Sequence, residues 1–490
     1  MLRYFFMTKI INNNKNWCAT LLCVSLVSFF LCVGITGCQK VTYPEEKVTS
    51  AVKEICSKEY HIEDVEVKFS GKTIGVFLPL QRLFTTDVRK VILSGEATDL
   101  ESLFAPLPEA MEQVENVLFA ISRVILSTDK SIDFYQLFAT DVTSTGLQLV
   151  LTGYIPDVRR VRLWDISRNE YRKRIMHELK LNRSVLWQKP VRELLRDAGT
   201  ITNDELVTRF FGKPPTPEII SPLFYGFLSG LPQKQNLKIS IREIKSHPYK
   251  DNQALVYVRF VETYDPKPGV SRTAFSYPSG TELEYIFIVN LFEDGFKIIQ
   301  VIPFYYLDET GKLKKISFPP ELDLYKNLES WSGRFEVENV NLGEFLAHQL
   351  DRRVKELLFG DERIRNTIRQ AQINFIYRYK TEELDGRHPK PYFALHFDFE
   401  TKEMKRIPET LSQMISNEDV LYVLNLILRE FVDVVRSYQF RDYSHFELVW
   451  DVGTSASSLV LNAERLELFR KKKLDVATLL GRPFQPFPPS

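Results

Sequence analysis

IDFYQLFATDVTSTGLQLVLTGY, residues 132–154, sets two runs rich in aromatic and β-branched side chains on either side of Ser144-Thr145-Gly146. A small polar turn between two such runs predicts an antiparallel hairpin. Just upstream, Val114, Val117, Leu118, Ile121, Val124 and Ile125 recur at the spacing of one helix face. The unit reads as helix, strand, strand, and another precedes it. Val48, Ala51, Val52, Ile55 and Cys56 mark a helix, followed by VEVKFS, a turn at Ser70-Gly71-Lys72, and TIGVFLPL.

The same order returns far downstream. Asn341 and Glu344 have the spacing of a capping box before a helix carrying Leu342, Phe345, Leu346, Leu350, Val354 and Leu357, and INFIYRYK and YFALHFDF alternate as a hairpin. A helix through Val420, Leu424, Ile427, Phe431 and Val435 then leads to HFELVWDV and SSLVLNA. Residue matches between the copies are weak, so order and spacing carry the repeat. Apolar hairpin faces need helices laid on them. Residues 38–183 and 335–483 are therefore expected as two helix/β-hairpin modules, each a two-layer α/β sandwich.

Between them the pattern changes. Thr216-Pro217-Glu218 opens a helix with Ile220, Leu223, Phe224, Phe227, Leu228 and Leu231 on one stripe. The strands LKISIREI, ALVYVRFVE, LEYIFIVNLF and FKIIQVIPF follow, the last pair joined through Glu293-Asp294-Gly295. Helices first, then an antiparallel sheet closing on DGFKIIQV, resembles the nuclear transport factor 2-like, cystatin-like cone fold over residues 198–305. The resemblance implies a curled sheet and a concave pocket, with no particular chemistry. The fold class expected is thus α+β, with the two modules flanking a central cone-like domain. TYDPKPGVSRTAFSYPSGT, 263–281, reads as a long loop. Residues 484–490 form a Pro-rich tail, either flexible or a peptide that docks on a partner.

Residues 1–37 differ from the rest. Arg3, Lys9 and Lys15 make a positive start, and no charged residue stands between Trp17 and Thr36, as a signal peptide requires. Ile35, Thr36, Gly37 and Cys38 then resemble a bacterial lipobox. The resemblance implies cleavage between Gly37 and Cys38, a lipid on the Cys38 thiol, and an envelope location, with Gln39 in place of the inner-membrane retention Asp pointing to the outer membrane. The apolar run is also long enough for an uncleaved anchor. Of the remaining cysteines, Cys18, Cys23 and Cys32 leave with the signal, and Cys56 falls on an apolar stripe as a buried thiol.

The chain has 64 basic and 63 acidic residues, a balance that argues against nucleic-acid binding. No GxSxG, Walker, HExxH, GxGxxG or EF-hand pattern occurs, and the seven histidines are scattered without metal spacing. No cofactor or metal site is expected. One strand, YFALHFDF, puts His396 and Asp398 on one face, and Asn374 or Arg378 opposite would complete a polar cluster; a solvated sheet face is the simpler reading. His348 reads as exposed and His247 as part of a turn before Pro248. In a cone, Tyr225, Tyr257, Tyr285 or Glu284 could point inward. Basic residues dominate from Arg159 to Arg183, and again in Arg470, Lys471, Lys472 and Lys473; each run reads as a solvated helix face or as a contact for anionic headgroups.

The sequence therefore leads to a lipid-anchored envelope protein, not an enzyme, acting as a binding module or scaffold. Its expected partners are the membrane, through the lipid, and an envelope protein. The alternative is a carrier of a small apolar ligand or lipid in the central domain.

Overall fold

The computed structural model describes residues 42–85, 105–143, 145–202, 205–213, 224, 228, 234–266, 278–307, 313–315, 327–380, 384, 390–401, 416–452 and 455–481. The signal peptide reading, Gly37 and Cys38 among it, lies outside these residues, as do the 484–490 tail and most of the 217–231 stripe. The lipobox resemblance accordingly receives no support from the structure. Among the described residues no helix is long and apolar enough to cross a membrane.

The first unit runs α1 (Val48–Tyr60), β1 (Glu66–Ser70), β2 (Thr73–Leu80), α2 (Pro108–Ile125), β3 (Phe134–Asp141), β4 (Leu147–Tyr154), α3 (Ile155–Arg162), α4 (Arg168–Arg174) and β5 (Met176–Leu181). On α1, Val48, Ala51, Val52, Ile55 and Cys56 are the buried residues. The helix stops where His61 turns left-handed at φ 55° and the Ile62 N–H bonds to Cys56 O at 2.9 Å. The sheet order is β1-β2-β3-β4-β5, with β2 and β3 parallel and the other pairs antiparallel. A parallel pair needs a crossover, and α2 supplies it.

β3 is buried at every residue. Tyr135, Leu137 and Ala139 face the helices α1 and α2. The alternate set meets other partners. Phe134 packs on Phe345, the Gln136 side chain accepts from the Glu338 N–H at 3.0 Å, and the Phe138 ring meets Phe335 at a tilt. A strap through Arg334–Val340 thus crosses the face of the sheet away from its helices, where Phe335 lies 5.4 Å from Phe77 and the Val340 N–H bonds to Thr73 Oγ1. The expected two-layer sandwich is corrected here: the sheet is covered on both faces. The reason is visible in FYQLFATD, whose second face is too apolar for water.

α5 (Arg183–Asp197) then bridges to the central sheet. Val185 packs with Phe77 and Phe138 on the first sheet, while Val191, Leu194 and Leu195 join the central core. That sheet is an antiparallel meander of β6 (Lys234–Pro248), β7 (Gln253–Pro266), β8 (Glu282–Phe292) and β9 (Gly295–Pro303). It is neither closed nor strongly curled, and the cone resemblance is overturned. Ala254, Val256 and Val258 meet α5, Phe210 and Phe224 on one face. On the other face Leu255, Tyr257, Ile286 and Ile288 are covered by Phe304 and Trp331. A cone keeps its apolar surface on one concave side, whereas apolar residues on both faces demand a layer on each. β7 also extends to Pro266, into the stretch read as loop. β10 (Tyr305–Leu307) and β11 (Leu313–Lys315) form a short separate ladder.

The last unit repeats the first: α6 (Leu342–Gly360), α7 (Glu362–Thr367), β12 (Ile368–Arg378), β13 (Tyr392–Thr401), α8 (Glu418–Ser437), β14 (His445–Val452), β15 (Ser455–Asn462), α9 (Ala463–Arg470) and α10 (Val476–Leu479). Asn341 and Asn417 cap α6 and α8 through their side chains. Again the middle strands, β13 and β14, are parallel and the outer pairs antiparallel. The repeat extends into the helices after the sheet. Asp165 N–H to Arg160 O is matched by Lys473 N–H to Leu468 O, both 2.9 Å. Trp164 at φ 64° is matched by Lys472 at φ 57°. Ser167 caps α4 as Asp475 caps α10.

Candidate functional site

α5 is the element on which the units meet, and a polar cleft opens beside it. On its first-sheet side, Glu66 at the start of β1 accepts from Arg334 Nη1 at 2.8 Å and pairs with Arg192 of α5 at 3.3 Å. The Arg334 guanidinium sits 4.3 Å over the Phe77 ring. Burial pushes the Glu66 carboxyl up, but Arg192 and Arg334 outweigh it and hold the group below its ordinary value of 4.5. Burial and the neighbouring Arg334 depress Arg192 to about 10, so it stays charged at neutral pH.

The cleft has a volume of about 810 Å³. Its walls are the β3–β4 turn at Thr143 and Thr145, α5 at Trp187 and Lys189, the β6–β7 turn at Asn252, the β8–β9 turn at Asp294, and the start of β9 at Lys297. Lys189 Nζ donates to Thr143 O at 3.1 Å, and Lys297 Nζ holds both Asp294, at 2.7 Å, and Thr208 O, at 2.8 Å. The hydrogen bond from Lys297 keeps the Asp294 carboxyl below its ordinary value. Lys189 on α5, Lys297 on β9 and Asp294 in the β8–β9 turn thus place charges of both signs around the cleft. Such a surface can recognise a polar segment by complementary bonds.

A second polar constellation lies at the seam between the first and last units. Asp157 of α3, only 2% exposed, accepts from Arg174 Nη1 at 3.1 Å and Arg160 Nη1 at 3.2 Å. Arg174 lies 5.0 Å over Tyr438, and its carbonyl accepts from Gln349 Nε2 at 2.6 Å. Burial raises the Asp157 carboxyl, with Arg174 opposing. These residues join the first and last units.

Of the residues singled out in the sequence, Asn374 stands directly opposite His396. With Asp398, Gln372 and Trp450 they line a shallow depression of about 240 Å³. Arg378 does not join them, because it pairs with Tyr392 at the far end of the ladder. His396 is half-buried and Asp398 exposed. His348 is exposed. His247 departs from the turn reading: it lies within β6 and stacks on Trp331 at 5.5 Å. Tyr257 and Tyr285 fall on opposite faces of the central sheet, Tyr257 beside Phe304 and Tyr285 between Phe224 and Phe260. Glu284, half-buried, interacts with Tyr257, while Tyr225 lies outside the described residues. The three described residues do not converge on one pocket. Burial lifts the Cys56 thiol to about 11.

Sequence reasoning missed the cleft because its floor is α5. LWQKPVREL carries Pro190 inside the helix, which discourages a helical reading. The stripe Val191, Leu194, Leu195 was the available signal. Among the described residues no group of three or more His, Cys, Asp or Glu is placed to hold a metal ion. Comparison with protein-family models, curated proteins and solved structures finds no match to this chain.

Proposed function

We propose that the chain is a non-enzymatic binding or scaffold protein of the bacterial cell envelope, held at the membrane, on the periplasmic side of the outer membrane, by a lipid on Cys38 after cleavage behind Gly37. The anchor rests on the residues themselves: a basic start, an uncharged run from Trp17 to Thr36, and small residues before a thiol. The binding role rests on the cleft beside α5, whose lining mixes charged and polar side chains with Trp187 and Phe296 and comes from α5 and the turns and strand ends of two sheets. Loops on a rigid scaffold are where recognition is commonly carried, and a polar lining suits a segment of a partner protein better than an acyl chain.

The test places a photo-crosslinking residue at Thr145 or Asn252 in the full chain and irradiates native membranes. A discrete adduct with the same envelope protein from both positions is the expected result. Adducts no different from those of an exposed control position sink the reading. Intact mass of the same material reports the acyl chains on Cys38.

A further inference from the structure

The turn between α3 and α4 exposes Leu163 by 71% and Trp164 by 83%. Trp164 holds a left-handed backbone at φ 64°, a conformation unusual for a bulky residue. Backbone bonds fix that geometry, Trp164 N–H to Val161 O at 3.2 Å and Asp165 N–H to Arg160 O at 2.9 Å. The repeated unit shows what the fold needs at this place. There the same turn, with the same bonds, carries Lys471 and Lys472. An aromatic side chain is therefore no requirement of the turn, and Trp164 leaves most of its own surface to solvent.

The surroundings indicate what does cover it. Arg159, Arg162, Arg168 and Lys173 are exposed in the helices on either side of the turn and outnumber the exposed Asp165, while Arg172 pairs with Glu115 and Arg160 and Arg174 are committed to Asp157. Trp and Leu at a turn flanked by an excess of cations match the interface of a bilayer with anionic headgroups, where indole rings reside and each basic side chain adds attraction. The position agrees. The Ile155 N–H that starts α3 bonds to Asp133 O at 2.9 Å, and the entering chain bonds through the Tyr43 N–H to Ser127 O at 3.2 Å. Both contacts fall in the connection from α2 to β3. Cys38 precedes Tyr43 by a tether that reaches at most about 17 Å, and α3 is about 12 Å long.

We propose that Leu163 and Trp164 form a second membrane contact, a wedge that enters the headgroup region of an anionic bilayer. The placement beside the tether rests on the anchored reading above; the wedge itself rests on exposure, charge and the comparison of the two turns.

The full chain is reconstituted into vesicles of phosphatidylglycerol with phosphatidylcholine whose acyl chains are brominated, and tryptophan quenching is read. Trp164→Lys, which copies the residue at the equivalent turn, keeps the fold, and Trp164→Phe serves as a second variant. The expected result is a loss of most of the Trp164 contribution to quenching in both variants, with that contribution absent in pure phosphatidylcholine and weakened by salt. Quenching unchanged by either variant, equal in neutral vesicles, or replaced by protection of Trp164 in a protein complex overturns the wedge. An unacylated Cys38 with Trp164 still quenched removes the anchor and leaves the wedge standing; an acylated chain with Trp164 unquenched does the reverse.

Discussion

Arg334 Nη1 lies 2.8 Å from Glu66 Oε1, tying the strap to the first residue of β1. Both groups are largely removed from water, and Arg192 shares the carboxylate. Arg334→Ala strands part of the Glu66 charge and removes the cation over Phe77. We expect a loss of about 3 kcal/mol in the docking of the strap, read as faster hydrogen exchange at the Glu338 and Val340 amides. Unchanged protection there would show that the pair contributes nothing to docking.

The same pair sets a pH dependence. The Glu66 carboxyl is held below its ordinary value of 4.5 in the fold. Its ionised form is therefore stabilised, and the contribution is present above the unfolded value and lost as pH falls through the folded one. Strap protection should weaken on acidification below about pH 4.5, and Glu66→Gln should flatten that slope. An equally steep slope in the variant assigns it to other carboxylates.

Phe335 stacks on Phe77 at 5.4 Å and lies 5.3 Å from Phe138. Phe335→Ala opens a cavity between strap and sheet and should cost about 3–5 kcal/mol. The thermal transition of the first sheet should fall without loss of the α6–α8 transition, resolved by exchange mass spectrometry. A single cooperative transition shifted as a whole would count against separate units.

At the seam, Asp157→Ala takes from the buried Arg174 guanidinium one of its two carboxylates and leaves it Glu170. The expected cost is about 3 kcal/mol or more, appearing as protease sensitivity in the segments that join α4 to α6. Asp157→Asn should cost less, because burial already raises the carboxyl of Asp157. Equal effects from the two variants would assign the loss to packing.

Cys56 is fully buried and its thiol is pushed up to about 11. Peptide mapping after iodoacetamide at neutral pH should find Cys56 unmodified in the native chain and modified once α1 is unfolded. Rapid native labelling would mean that α1 opens locally.

Much of the local structure was legible. The stripe Val48, Ala51, Val52, Ile55, Cys56 is the buried face of α1, and Asn341 caps α6 through its side chain, because helical spacing and cap chemistry are local. Asn374 opposite His396 was an open option in the sequence and is a register pair in the sheet. The cone was misread because LEYIFIVNLF displays two apolar faces, and a list of strands in order does not say whether the second face meets solvent, a strap or the sheet's own curl. α5 and its cleft were hidden by Pro190.

The sequence by itself determined the helices α1, α2, α6 and α8, the hairpins, and the repeated order. The tertiary structure decided what covers β3: Leu137 meets α2, yet Gln136 and Phe138 meet a strap that arrives from beyond the central sheet. Alternation with period two announces that a strand has two faces. It carries no information about which distant segment buries the second one, since that choice is made by long-range packing and paired charges such as Arg334 and Glu66.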